Sequence, residues 1–217
     1  MKQLLIAGYG DIARRTMRGL GSRIEVRILS RSRGMDLDRP ESLTSLGPAD
    51  AVLHCAPPAQ TGEIDTRTTN LLAALERRRI LPTRLVYVGT SGVYGDRGGA
   101  LVDESRAVNP QSARARRRAL EEDAPEGVYN ASDDTQLQMG EWFDLVADRA
   151  GLPRPPRIAR REAAERLPPG LLSFMSESRR LDNARLKRNL GVRLRFPTVQ
   201  AGLEGLGREH ERAVGAD

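Results

Sequence analysis

The stretch that decides the fold is Gln3-Leu4-Leu5-Ile6-Ala7-Gly8-Tyr9-Gly10-Asp11-Ile12-Ala13. Five residues, mostly apolar, run into a glycine, as a buried parallel strand does. A helix-compatible segment follows over Asp11–Leu20, with Ile12, Met17 and Leu20 spaced for one face, and it stops at Gly21. The turn between them reads G-x-G-x-x-A. In this context each position has a physical role. Gly8 permits the tight turn, Gly10 lets a diphosphate approach the backbone, and Ala13 lets the helix pack close to the sheet. The helix N-terminus, Tyr9 to Ala13, offers N–H groups and the positive end of a dipole. A structural strand–turn–helix without a ligand is the competing reading.

Working outward, Glu25–Ser30 reads as a second strand and Ala51–Ala56, stopped by Pro57-Pro58, as a third. Glu63–Arg79 has helical spacing (Ile64, Leu71, Leu72, Leu75), Leu85–Gly89 reads as a fourth strand, and Ser112–Asp123 as a helix. A very short strand at Gly34–Leu37 is also compatible with the pattern. Strands alternating with helices imply a parallel sheet covered on both faces, an α/β, Rossmann-like doubly wound fold.

The character changes near residue 124. Val128–Ala131 reads as a short strand. Helices are expected at Asp134–Ala150, Arg161–Leu167, Ser178–Leu190 and Thr198–Leu206, with a small strand at Val192–Phe196. The expected organisation is therefore a nucleotide-binding domain over 1–122 and a small, mainly helical C-terminal part over 123–217.

Composition narrows the function. The chain has 217 residues, 39% of them hydrophobic, which is ordinary for a globular protein with its own core. No apolar run approaches a membrane span, and Met1–Ala7 is too short for a signal peptide. The single cysteine, Cys55, allows no intramolecular disulfide and no cysteine-rich zinc site. No metal site is expected, and the cytoplasm is the expected location. Net charge is +6, and lysine occurs only at Lys2 and Lys187, so the basic side chains are almost all Arg. Glu121, Glu122, Glu162, Glu165, Glu177 and Asp182 interleave with the Arg-rich stretches. That pattern suits a solvated mixed surface better than a nucleic-acid surface.

The end of the second strand bears on which dinucleotide is bound. A ribose 2′-OH is commonly held by a carboxylate about 20 residues past the glycines. Here the chain reads Leu29-Ser30-Arg31-Ser32-Arg33, with no acid. Ser30, Arg31, Ser32 and Arg33 suit a 2′-phosphate, so NADP is expected over NAD.

Several pieces together resemble the extended, atypical short-chain dehydrogenase/reductases, in the NAD(P)-dependent epimerase/dehydratase branch. They are the glycine turn, Asp50-Ala51-Val52-Leu53-His54-Cys55-Ala56, Leu85-Val86-Tyr87-Val88-Gly89-Thr90-Ser91-Gly92-Val93-Tyr94-Gly95 followed by Asp103-Glu104, and the late R-x-x-N at Arg180–Asn183 leading to Leu190-Gly191. The resemblance implies an oxidoreductase or epimerase acting on a nucleotide sugar or a related hydroxyl/carbonyl substrate. It places Ala56 and Pro57 along the cofactor cleft and Thr90 in the catalytic Ser/Thr position, its hydroxyl on a substrate oxygen. His54 and Cys55 fall in strand interior.

The chain departs from that family in three ways. Its turn is G-x-G-x-x-A where extended members usually have G-x-x-G-x-x-G. The proton relay Tyr-x-x-x-Lys is absent: the tyrosines are Tyr9, Tyr87, Tyr94 and Tyr129, and no Tyr or Lys lies between 95 and 128. Alignment puts Arg114 at the Tyr position and Arg118 at the Lys position. Arg118 can reach a ribose hydroxyl, but a guanidinium cannot cycle a proton. Tyr94, Asp103 or Glu104 would have to substitute. Lastly, by comparison with that family, about two βα units are missing near 122–128. That leaves Leu85–Gly89 as an open sheet edge, which Val128–Asn130 or a second copy of the chain, in a homodimer, is expected to cover. A non-catalytic dinucleotide sensor or scaffold, and a basic nucleic-acid-associated domain, are the alternative functions.

Overall fold

The computed structural model describes residues 2–119 and 127–205. The chain separates into two compact units, Met1–Val93 with Pro110–Glu121, and Tyr94–Asn109 with Glu122–Asp217.

The first unit is built on four parallel strands in the order β2-β1-β3-β4. These are β1 (Lys2–Ala7), β2 (Ile24–Leu29), β3 (Ala51–His54) and β4 (Arg84–Tyr87). The helices α1 (Asp11–Gly19), α2 (Thr66–Arg77) and α3 (Ala113–Arg118) complete it. This is an α/β, Rossmann-like sheet with flanking helices. The run Leu5-Ile6-Ala7 is buried because β1 is central, with β2 and β3 on either side. Helix α2 closes the core with Leu71, Ala74 and Leu75, the spacing of one helical face. It starts later than the apolar pattern suggested because Asp65 caps it, accepting the Thr68 N–H at 3.2 Å. Ile64, which precedes the cap, and Leu72, off the buried face of α2, are exposed. The stretch at Gly34–Leu37 is not a strand; Gly34 takes a left-handed turn (φ 77°) after a short 3₁₀ segment over Arg31–Arg33.

The second unit contains β5 (Leu101–Val102), α4 (Met139–Ala150), α5 (Arg160–Arg166), α6 (Pro169–Met175), β6 (Arg180–Leu181) and α7 (Ala184–Leu190), with a helical stretch over 199–205. It differs from the sequence reading in ways that have local causes. The expected helix over 178–190 is a strand and a shorter helix. The backbone of 97–102 captures 178–182 through Arg97 N to Ser178 O (2.9 Å), Arg180 N to Ala100 O (3.0 Å) and Asp182 N to Val102 O (2.8 Å). The Asp182 carboxylate then caps Ala184 N at 2.7 Å and starts α7. The same ladder carries 94–109 into the second unit, although the sequence reading put it in the first. Helix α4 begins at Met139 rather than Asp134. The Glu141 carboxylate accepts the Gln138 N–H (2.7 Å), and Asp134 N is held by Pro197 O (2.8 Å). Val192–Phe196 is not a strand.

Val128–Asn130 is not a strand either. Asn130 is held by Glu104, Val102 and Tyr94. Among the described residues β4 has one strand neighbour, β3, and Leu85 and Val86 are exposed. The expectation that Val128–Asn130 would pair with this edge is therefore corrected. The expected family gap near 122–128 falls mainly on 120–126, outside the described residues.

Candidate functional site: the carboxyl ends of β1 to β4

Parallel register brings the sequence-predicted residues to one end of the sheet. Ala7 lies beside Leu29 of β2 and His54 of β3. The segments that follow, Gly8–Ala13, Ser30–Arg33 and Ala56–Pro57, therefore emerge side by side. Three short backbone bonds fix them: Gly8 N to Leu29 O (3.0 Å), Cys55 N to Ala7 O (2.8 Å) and Ala56 N to Ala7 O (2.9 Å). Ligands of open parallel sheets lie in such a crevice, where the strand order reverses about β1.

Gly8 has φ +92°, and a Cβ there would stand 2.5 Å from the backbone N of Ala56. No other residue fits. Gly10 differs: its backbone is extended, and a Cβ would meet nothing within 4 Å. Open space lies in front of it. It is the N-cap of α1 without a side-chain cap, so the first-turn N–H groups of the helix face outward. Ala13 is fully buried, as close helix–sheet packing requires. Tyr9 and Ile12 are exposed; Tyr9 lies under the Arg14 guanidinium, 5.6 Å from its ring centroid.

At the end of β2, Arg31, Ser32 and Arg33 are exposed, and the Ser30 and Ser32 hydroxyls are 3.0 Å apart. The nearest built structure is an ion pair that the sequence pattern did not single out. Arg67 donates to both carboxylate oxygens of Asp38 (2.8 and 2.6 Å) and to Pro57 O (3.0 Å). The Arg67 bonds, assisted by the Arg31 charge, hold the Asp38 carboxyl below the usual carboxylate range. Only the tertiary fold joins residues 29 apart in an Arg-rich chain.

Over β3 and β4 the polar groups form one network. His54 is buried, its Nε2 2.8 Å from the Thr68 hydroxyl. Thr68 donates to Asp65 (2.8 Å), and Tyr87 donates to the same carboxylate oxygen (3.0 Å). Thr68 has one proton to give, so His54 carries its hydrogen on Nε2. Burial, and then the Arg118 charge, holds the His54 pKa below its ordinary value. Burial pushes the Cys55 thiol up, away from thiolate reactivity. His54 is the buried last residue of β3, whereas Cys55, expected in the strand interior, follows the strand and is half-buried.

Arg118 is buried. It donates to Val88 O at 2.8 Å and to Ala56 O, and its guanidinium stacks on Tyr87, 4.6 Å from the ring centroid. Both terminal nitrogens of the group in the lysine position are thus engaged by backbone. Arg114 is exposed. The Thr90 hydroxyl accepts the Gly92 N–H (3.3 Å), which leaves its own proton available to a substrate oxygen.

Tyr94 belongs to the second unit. It is 4% exposed, and its hydroxyl donates to Asn130 Oδ1 at 3.0 Å. Burial, and then the Glu104 charge, raises its pKa. The late R-x-x-N segment has a structural task there: the Asn183 amide donates to Ser132 O and to Asp134 Oδ1, each at 2.9 Å.

No protein-family model matches the sequence, and no curated protein does. Among solved structures, the chain is similar to a conserved protein of unknown function from Silicibacter pomeroyi (TM-score 0.80, 24% identity, 97% of this chain and 100% of that one). It is also similar to a proposed NAD-dependent epimerase/dehydratase from Methylobacillus flagellatus (TM-score 0.66, 18% identity, 97% and 99%). At these identities the likeness establishes the fold. Both match over nearly their whole length, so the short second part is an architecture shared with them.

Proposed function

We propose that this chain binds a nicotinamide dinucleotide, NADP in preference to NAD, with the diphosphate on the Gly8–Ala13 turn. The observation that carries this reading is the contrast within the turn. Gly8 is required by its contact with Ala56, while Gly10 faces open space at an uncapped helix start. Arg31 and Arg33, exposed at the end of β2 with the nearby Asp38 carboxylate taken by Arg67, would take the 2′-phosphate, with Ser30 and Ser32 beside them.

The reading extends to an oxidoreductase of the epimerase/dehydratase type, working in the cytoplasm on a nucleotide sugar or a related hydroxyl/carbonyl compound. The dinucleotide would supply the hydride chemistry, and Thr90 would hold the reacting oxygen. A second reading, a sensor or scaffold that binds the dinucleotide without turnover, rests on Tyr94 and Arg118. One is a buried phenol bound to Asn130; the other is a cation whose donors are engaged by carbonyls. Neither arrangement favours proton transfer near neutral pH.

Fluorescence titration with NADPH and NADH tests the first claim. NADPH is expected to bind tighter, and Arg31→Asp to remove about tenfold or more of that preference, the loss of a charge-assisted phosphate contact. NADH binding tighter than NADPH would overturn it. Hydride exchange with a panel of sugar nucleotides separates the two readings: turnover supports the enzyme, and binding without exchange supports the sensor.

A further inference from the structure

The loop after β3, residues 56–62, is gripped from its carbonyl side by three arginines on two helices. Arg118 of α3 donates to Ala56 O, and Arg67 of α2 donates to Pro57 O at 3.0 Å. Arg117 of α3 donates to Gly62 O at 2.6 Å and to Gln60 O at 3.3 Å. Ala56 and Pro58 are buried at its root, whereas Gln60, Thr61 and Gly62 are exposed, so side-chain packing holds the root and contributes little to the outer end. The outer end is held by guanidinium–carbonyl bonds from Arg117, which are charge-assisted and directional. Ala56, at the start of the loop, is also the residue against which Gly8 is pressed.

We infer that Arg117 is a positioning residue for the nicotinamide half of the dinucleotide, acting through the 56–62 loop. The inference rests on the dinucleotide reading above. In the strand order β2-β1-β3-β4, the glycine turn takes the diphosphate above β1, and the end of β2 takes the adenosine side. The other half of the ligand then extends over the ends of β3 and β4, where this loop and Thr90 stand. Arg117 fixes the outer end of that wall, and Arg118 fixes its root. Two consecutive arginines on α3 thus supply position in a helix that carries no tyrosine or lysine.

The test uses the full chain and the variants Arg117→Met, which keeps the apolar stem, and Arg117→Lys, which restores a donor. Glu63 is exposed beside the clamp, so cleavage after it by a Glu-specific protease reports on the loop directly. Arg117→Met is expected to speed that cleavage at least fivefold and to weaken the tighter-binding of NADPH and NADH about tenfold, the scale of one charge-assisted hydrogen bond. Affinity for ADP, which reaches only the diphosphate and adenosine side, should change less than about twofold. Arg117→Lys should recover most of the dinucleotide affinity. Cleavage that does not change overturns the clamp. Equal losses for ADP and the dinucleotide, or no loss for either, overturn the positioning role. A wild-type chain that binds neither NADPH nor NADH overturns the dinucleotide reading instead, and the protease arm still tests the clamp.

Discussion

His54 shows how one buried side chain sets a pH dependence. Its folded pKa lies below the ordinary value of about 6.5 because burial disfavours the imidazolium. The unfolded chain therefore binds the proton first as pH falls. The stability from the neutral ring is complete above about pH 6.5 and is lost as pH drops through the folded pKa. Melting temperature should fall as pH drops below about 6.5 in the wild type, and the fall should be shallower in His54→Gln; equal slopes would contradict this. Arg79 gives a second prediction at this scale. It has φ +53° at the end of α2, where Arg79 N reaches Glu76 O and Ile80 N reaches Leu75 O, the pattern that usually ends in glycine. Arg79→Gly should stabilise the chain by about 0.5–1 kcal/mol in denaturant titrations. These two features differ in legibility. A buried His can be guessed from an apolar strand, but nothing in Arg78-Arg79-Ile80 announces a left-handed arginine.

Among the elements, legibility followed the range of the interactions. The strands β1 and β3 are written in continuous apolar runs, and the glycine turn in its own spacing, so both were readable. Helix α7 was readable in its second half, where Leu190-Gly191 ends it with Gly191 at φ 62°. Its first half was not, because 178–182 is claimed by a ladder to residues about 80 positions away. Asn183 marks the boundary. It is 8% exposed, and its amide satisfies Ser132 O and Asp134. Asn183→Ala should cost about 1–3 kcal/mol, because it strands the part-buried Ser132 carbonyl and removes a bond to the Asp134 carboxylate. Thermal unfolding checks this; a change under about 0.5 kcal/mol would contradict the structural role. The candidate site divides the same way. Its glycines, Ser30–Arg33 and Thr90 lie in local motifs, whereas the Asp38–Arg67 pair and the Arg117 clamp exist only once α2 and α3 pack beside the loops they hold.

For the whole molecule, the exposed β4 edge is the feature with the clearest consequence. Leu85 and Val86 are 41% and 55% exposed on a strand with one neighbour among the described residues. Unblunted apolar edges favour pairing between chains, and a charge on the edge suppresses it. A homodimer through this edge is the expected state. Val86→Lys should shift sedimentation toward the monomer; a wild-type monomer at every concentration would contradict the expectation. The wider fold was legible because parallel βα alternation admits few arrangements. That β4 stands at an edge of the described sheet was legible only through the resemblance.

The central claim is that the Gly8–Ala13 turn grips the diphosphate of a dinucleotide, and melting with and without ligand tests it most directly. A ligand that binds the folded chain at 100 times its dissociation constant adds about 2.7 kcal/mol, which is about 5–10 °C for a chain of this size. NADPH should raise the melting temperature by that amount, and Gly10→Val, which fills the open approach without clashing with the protein, should abolish the rise while leaving the ligand-free melting temperature within a few degrees. A well-folded wild type whose melting temperature stays fixed at saturating NADPH and NADH would contradict the account.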